Sequence, residues 1–116
     1  MKRDRAQLLN DFTGAIIEQD ACIMDGNPKT GNRAAKRYIT AARQLLSGGE
    51  ESIDAFAGLL KHGNPSVRCM AAAFLLKDRT RLSVMALKPI AKGDGLAALG
   101  AQMTLKRYKD GNLDIT

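Results

Sequence analysis

Catalysis or metal binding in this chain would have to start from one histidine, two cysteines and twelve carboxylates. To act as a base, or to activate a nucleophile, His62 needs a serine, cysteine or carboxylate partner, and the local spacing supplies none. It falls at the end of a predicted helix, where a cation suits the negative end of the helix dipole. Cys22 and Cys69 form no Cys-x-x-Cys, no histidine pair sits at helical spacing, and no Asp-rich loop closes on a Glu. Zinc and calcium therefore lack their usual ligands, and no metal or cofactor is expected. Both cysteines lie in apolar helical stretches, where a reduced thiol behaves as a small hydrophobe. The carboxylates have ordinary uses too. Glu50-Glu51 begins a helix, where negative charge is favoured, and Asp11 with Glu18 belongs to a stripe of Asp4, Asp11, Glu18 and Asp25 at seven-residue spacing, a solvated face. Gly93-Asp94-Gly95 precedes a helix but has neither the strand before it nor the Gly-Lys-Ser/Thr ending of a phosphate loop. The expectation is a chain that is not an enzyme.

The basic residues carry the stronger signal. The formal charge is +6, with eight Lys/Arg against eight Asp/Glu in residues 1–58 and ten against four in residues 59–116. Lys77, Arg79, Arg81, Lys106, Arg107 and Lys109 fall near predicted helix ends and together make a candidate positive rim for partner binding. Such a rim steers an acidic partner by its field, whether a protein face, a nucleic acid or a membrane surface. Bases at helix C-termini also satisfy terminal carbonyls and keep a protein in solution with no partner at all.

The elements that must position these groups read as helices throughout. At 116 residues the chain has room for one domain, 1–116, with a tail at 111–116. Its 45% apolar content is rich in Ala and Leu and poor in aromatics, which favours helices that approach closely through small side chains. No run is long and apolar enough for a membrane span, and the N-terminus lacks a signal core, so a cytoplasmic protein is expected. The first helix, 4–24, carries Leu8, Leu9, Phe12, Ala15, Ile16 and Ile23 on one stripe and ends at Asp25-Gly26-Asn27-Pro28. The second is capped by Asn32 and runs to Gly48-Gly49, burying Ala34, Ala35, Tyr38, Ala41, Ala42, Leu45 and Leu46, with bases able to pair with the acidic stripe. A third spans 51–62, and a fourth opens at Pro65 or Ser66 and closes at Asp78. The fifth, 81–92, turns Leu82, Met85, Ala86 and Ile90 inward and is kinked or shortened at Pro89. The sixth, 96–110, turns Leu96, Leu99, Met103 and Tyr108 inward.

Helices three and four recur as five and six with an offset of 29, placing Met70 on Leu99, Ala72 on Ala101 and Lys77 on Lys106. The segment Leu59-Leu60-Lys61-His62-Gly63-Asn64-Pro65-Ser66-Val67-Arg68-Cys69-Met70-Ala71-Ala72 resembles the signature of short HEAT-like repeats, in which Leu-Leu, a turn, Val-Arg and Ala-Ala recur. With its closing Leu105-Lys106-Arg107-Tyr108-Lys109-Asp110-Gly111, the chain is also similar to a small bacterial HEAT-like family catalogued as a domain of unknown function. That resemblance implies an all-α, α-α superhelix of about six helices in three antiparallel hairpins. It also implies Arg68 pairing across repeats, and immunity proteins beside secreted toxins among the members.

The functional expectation is a protein-binding module, most concretely an immunity protein that blocks a cognate toxin with an acidic surface. The alternative is a HEAT-like stack that binds a nucleic-acid backbone. The lack of Trp argues against stacking on single strands, and oligomeric state is open.

Overall fold

The computed structural model of the chain describes residues 4–111, and over them the backbone is all-α: six α-helices and one 3-10 helix, with no strand. The tail expected at 111–116 lies, beyond Gly111, outside the described residues. The described residues fall into two compact units, one ending at Ile53 and the other beginning at Asp54.

The first unit is built on α1 (Arg5–Met24) packed along α2 (Pro28–Ser47). Asp4 starts α1 through a reciprocal cap, accepting from the Gln7 N–H at 2.8 Å while its own N–H donates to Gln7 Oε1 at 3.1 Å. Asn32 was the expected cap of α2, but the helix opens a turn earlier. Asn27 accepts from the Thr30 N–H at 3.4 Å, and Pro28 occupies the first turn, where its missing N–H costs nothing. Leu8, Phe12, Ala15 and Ile16 meet Ala34, Tyr38, Ala41, Ala42 and Leu45 in the buried layer. Phe12 and Tyr38 lie edge to face, centroids 6.1 Å apart. At the end of the α1 stripe Cys22 is the buried residue, beside Gly31, and Ile23 is half exposed instead of inward.

The start of α3 (Glu50–Ala57) closes this unit, with Glu50 and Glu51 in its first turn. Ser52 is buried, and its hydroxyl donates to the Leu45 carbonyl at 2.6 Å, satisfying one of the acceptors that every helix end leaves open. This fixes Gly48 as glycine. A Cβ there would stand 2.8 Å from both Cβ and Oγ of Ser52.

The second unit holds the rest. The expected third helix, 51–62, is α-helical only to Ala57 and then tightens into a 3-10 helix, Gly58–Lys61, which packs on α4 and α5. Asn64 opens α4 (Pro65–Leu75) by accepting from the N–H groups of Ser66 at 2.8 Å and Val67 at 3.4 Å. Past Arg68 this helix is apolar all round and buried accordingly, at Cys69 and residues 71–75 as well as at Val67. α5 (Thr80–Ala91) stops just past Pro89, and α6 (Leu96–Lys109) follows a turn in which Gly95 has φ +93. Cys69 and Ala72 of α4, Leu87 and Ile90 of α5 and Ala101 of α6 form one core cluster.

The faces of α5 and α6 differ from expectation. Ile90 is buried and Ala86 packs on the core, but Leu82 and Met85 are exposed at 49% and 62%, and Ser83 and Leu87 take the inward places. On α6 Leu96, Leu99, Met103 and Tyr108 all face out, while Ala98 and Ala101 are buried and Leu105 is partly so. The physical reason is the closeness of the α4–α6 contact. A Cβ on Gly100 would sit 3.3 Å from Cys69 Sγ, so only the small-residue side of α6 fits against α4.

Two buried serines give opposite expectations. Ser52→Ala deletes a bonded hydroxyl and is expected to lower stability by about 1 kcal/mol, whereas Ser83, whose buried Oγ finds no partner among the described residues, is expected to gain up to about 1 kcal/mol on replacement by Ala. Thermal melts of the two variants should move in opposite directions from the wild type. Burial raises the Tyr38 phenol above 10.0, with Gln19's hydrogen bond opposing and Asp20's charge adding to the rise. The unfolded chain therefore ionises first, and stability is lost as pH rises from 10.0 toward the folded value. Tyr38→Phe is expected to flatten that alkaline loss in denaturant titrations between about pH 9 and 11.

Candidate functional site

The residues that looked most like chemistry are engaged in building turns. The Asn64 N–H donates to His62 Nδ1 at 3.0 Å, so this ring is an acceptor in the turn before α4. Arg68 donates to the carbonyls of His62 at 2.8 Å and Gly63 at 3.2 Å. It therefore ties down its own turn, where pairing across repeats was expected. Cys22 and Cys69 are buried free thiols. Among the described residues no three His, Cys, Asp or Glu side chains gather where they would share a metal ion.

The acidic stripe of α1 is likewise spent locally. Asp4 caps the helix, Asp25 ends it, and Glu18 pairs with Arg37 of α2, one of the cross-helix surface pairs expected from the bases there. Beside that pair an open groove of about 740 Å³ is lined by Gln7, Asp11, Lys36, Arg37 and Thr40, where charges of both signs meet.

The second unit concentrates one sign. Short turns at 76–79 and 92–95 join α4, α5 and α6, and all three helices pack on one another. Lys77 and Arg79 lie in the turn between α4 and α5, Arg81 in the first turn of α5, and Lys106, Arg107 and Lys109 in the last turn of α6, with Asp78 and Asp110 as acidic neighbours in sequence. They are not equivalent. Lys77, Arg81, Lys106, Arg107 and Lys109 are exposed, but Arg79 is drawn in, donating to Asp54 Oδ1 at 2.9 Å and to the Asp78 carbonyl at 3.1 Å. Arg79 is the N-cap of α5; its side chain caps none of the first-turn N–H groups and secures the start of the helix through Asp54 and the Asp78 carbonyl instead.

Between α5 and α6 runs a groove of about 690 Å³. Val84 and Ala91 contribute its apolar floor from α5, Leu105 and the Tyr108 ring from α6. Lys88, Lys106 and Lys109 rim it, and no carboxylate lines it among the described residues. Gln102 bridges the two helices by donating to the Ala91 carbonyl at 2.9 Å, one of the open acceptors at the end of α5. The apolar ground continues on both banks. Met85 lies three residues before Lys88, and Leu99 and Met103 lie three before Gln102 and Lys106, so each flanks a lining position on the same helix face. Sequence reasoning found Lys106 and Lys109 but missed Lys88, because with Met85 turned inward Lys88 belongs to no shared surface.

The fold has a solved counterpart. The chain superimposes with a TM-score of 0.89 on the crystal structure of the protein RPA1889 from Rhodopseudomonas palustris CGA009, covering 99% of this chain and 96% of that one at 22% sequence identity. At that identity the likeness establishes the helical fold alone. No protein-family model and no curated protein matches this sequence.

The different burdens on the bases are measurable. Arg79→Glu removes a partly buried ion pair and sets two carboxylates face to face, so it is expected to lower the melting temperature. Lys77→Glu and Arg81→Glu, on exposed positions, should leave it within about a degree or two, since surface changes of this kind stay within about 0.5 kcal/mol.

Proposed function

We propose that this chain is a non-catalytic protein-binding module of the HEAT-like α-α superhelix type, and that it meets its partner with the basic residues of the α4–α6 unit. In its most concrete form it is a cytoplasmic immunity protein that occludes a cognate bacterial toxin carrying an acidic surface. The observation that carries this reading is the groove between α5 and α6, lined by apolar side chains and three lysines in the unit that also exposes Lys77, Arg81 and Arg107. Protein interfaces combine an apolar centre with a polar rim in this way. A phosphate backbone would use the lysines and leave the apolar floor idle. None of the helices described is long and apolar enough to cross a membrane, which fits a partner met in solution.

The test is affinity capture from the source organism's lysate, comparing the wild type with a variant carrying Lys77→Glu, Arg81→Glu and Arg107→Glu. Arg79 stays intact because it holds Asp54. One stoichiometric protein partner, absent with the variant and inhibited by the wild type, is the expected result. Recovery that is nuclease-sensitive and falls steeply with salt would overturn the proposal in favour of nucleic acid.

A further inference from the structure

Resting on that reading, we infer that the occupant of the α5–α6 groove is an acidic amphipathic helix of the partner, laid along the groove with its apolar stripe inward. Three features select this class. The lining is open: Lys88, Gln102, Lys106, Tyr108 and Lys109 are exposed and Val84, Ala91 and Leu105 only half-buried, so the groove has no enclosed floor of the kind that buries most of a small ligand. It is elongated by construction, because its two walls are neighbouring helices that return past one another, and the side chains of a third helix fit such a trough through anchors at i, i+3, i+4 and i+7. Among the described residues its charge is of one sign. Lys88 stands on the α5 wall and Lys106 and Lys109 on the α6 wall, none forming an ion pair among the described residues, so carboxylates on both flanks of an incoming helix find partners.

The apolar banks set the length of the contact. Met85 on α5 and Leu99 and Met103 on α6 extend the apolar strip beyond the floor. Methionines suit a surface that must adapt to another helix, since the unbranched thioether side chain repacks easily. A helix of two to three turns would cover the floor and reach both banks, with its acidic residues meeting the lysines at the edges. Apolar burial would supply the affinity, and the lysines would set orientation and encounter rate.

The experiment titrates the full chain with a labelled peptide of about 18 residues, Leu at i, i+3, i+4 and i+7 and Glu on the flanks, following anisotropy and backbone amide shifts. Controls are a scrambled peptide of the same composition and a counterpart with Lys in place of Glu. The patterned acidic peptide should bind at least tenfold more tightly than the scrambled one and shift the amides of Val84, Ala91 and Leu105. The variant Lys88→Glu, Lys106→Glu, Lys109→Glu should lose it at least tenfold and instead take up the lysine peptide, a reversal that a misfolded variant would not give. Equal binding of the scrambled peptide would overturn the helix inference while leaving the basic residues as a protein-binding surface. So would failure of every peptide when the lysate partner is still captured and lost in the Lys77, Arg81 and Arg107 variant. Preferential shifts with duplex DNA or with phosphatidylglycerol vesicles would overturn this inference and the proposed function together. The same amides shifting with protein concentration alone would overturn it in favour of a second copy of the chain.

Discussion

The α4–α6 unit depends on the close approach of those two helices through small side chains. Ala72, Ala101 and Cys69 share one buried cluster, and the absent side chain of Gly100 leaves just the space that Cys69 Sγ needs. Dispersion falls off within a fraction of an ångström, so a seam of alanines stabilises only if the backbones come near enough for those methyls to touch. Once they do, the rotation of α6 is fixed. Its small face belongs to α4, Gln102, Leu105 and Lys106 are left toward α5, and Leu96, Leu99 and Met103 point outward. The groove and its lysines are a by-product of where the alanines sit.

That same seam explains what could be read from the sequence and what could not. The six helices and most of their ends were legible, because Asn-Pro and Gly-rich turns punctuate the chain and the apolar spacing between them is helical. The buried stripes of α1 and α2 were legible as well, each having one plainly apolar face. On α5 and α6 both faces are apolar: Leu82 and Met85 compete with Leu87, and Leu96, Leu99 and Met103 compete with Ala98, Ala101 and Leu105. Periodicity favours the bulkier set, whereas packing density favours the set that lets neighbours close up. The two positions related by the offset of 29 differ accordingly, Val67 being buried and Leu96 46% exposed.

The start of α2 went unread for a different reason. Residues 25–27 do end α1, and the same Asn27-Pro28 pair also begins the next helix, so one short stretch closes one element and opens another. Asn64-Pro65 does the identical work for α4, with its cap bonds at 2.8 and 3.4 Å. An Asn followed by Pro supplies an acceptor for the free N–H groups of the first turn and a residue whose φ is already helical. His62 and Arg68 complete the second of these turns, which is why two residues with functional chemistry have structural duties here.

The candidate site was legible in outline because charge is counted along the sequence, but its selectivity is a property of the surface between the charges. Counting makes Arg79 equal to Arg81, yet one is held by Asp54 and the Asp78 carbonyl while the other is exposed. Counting also passes over Lys88, whose importance comes from facing Lys106 and Lys109 across an apolar floor. A bare cluster of lysines attracts any polyanion, and that attraction fades as salt screens it. Lysines around a strip of Val84, Ala91, Leu105, Met85, Leu99 and Met103 discriminate further, because a ligand that cannot cover the strip gains nothing from it. The apolar part persists at salt concentrations that remove the electrostatic part, so the surface favours ligands carrying both an apolar stripe and negative flanks over those carrying charge alone.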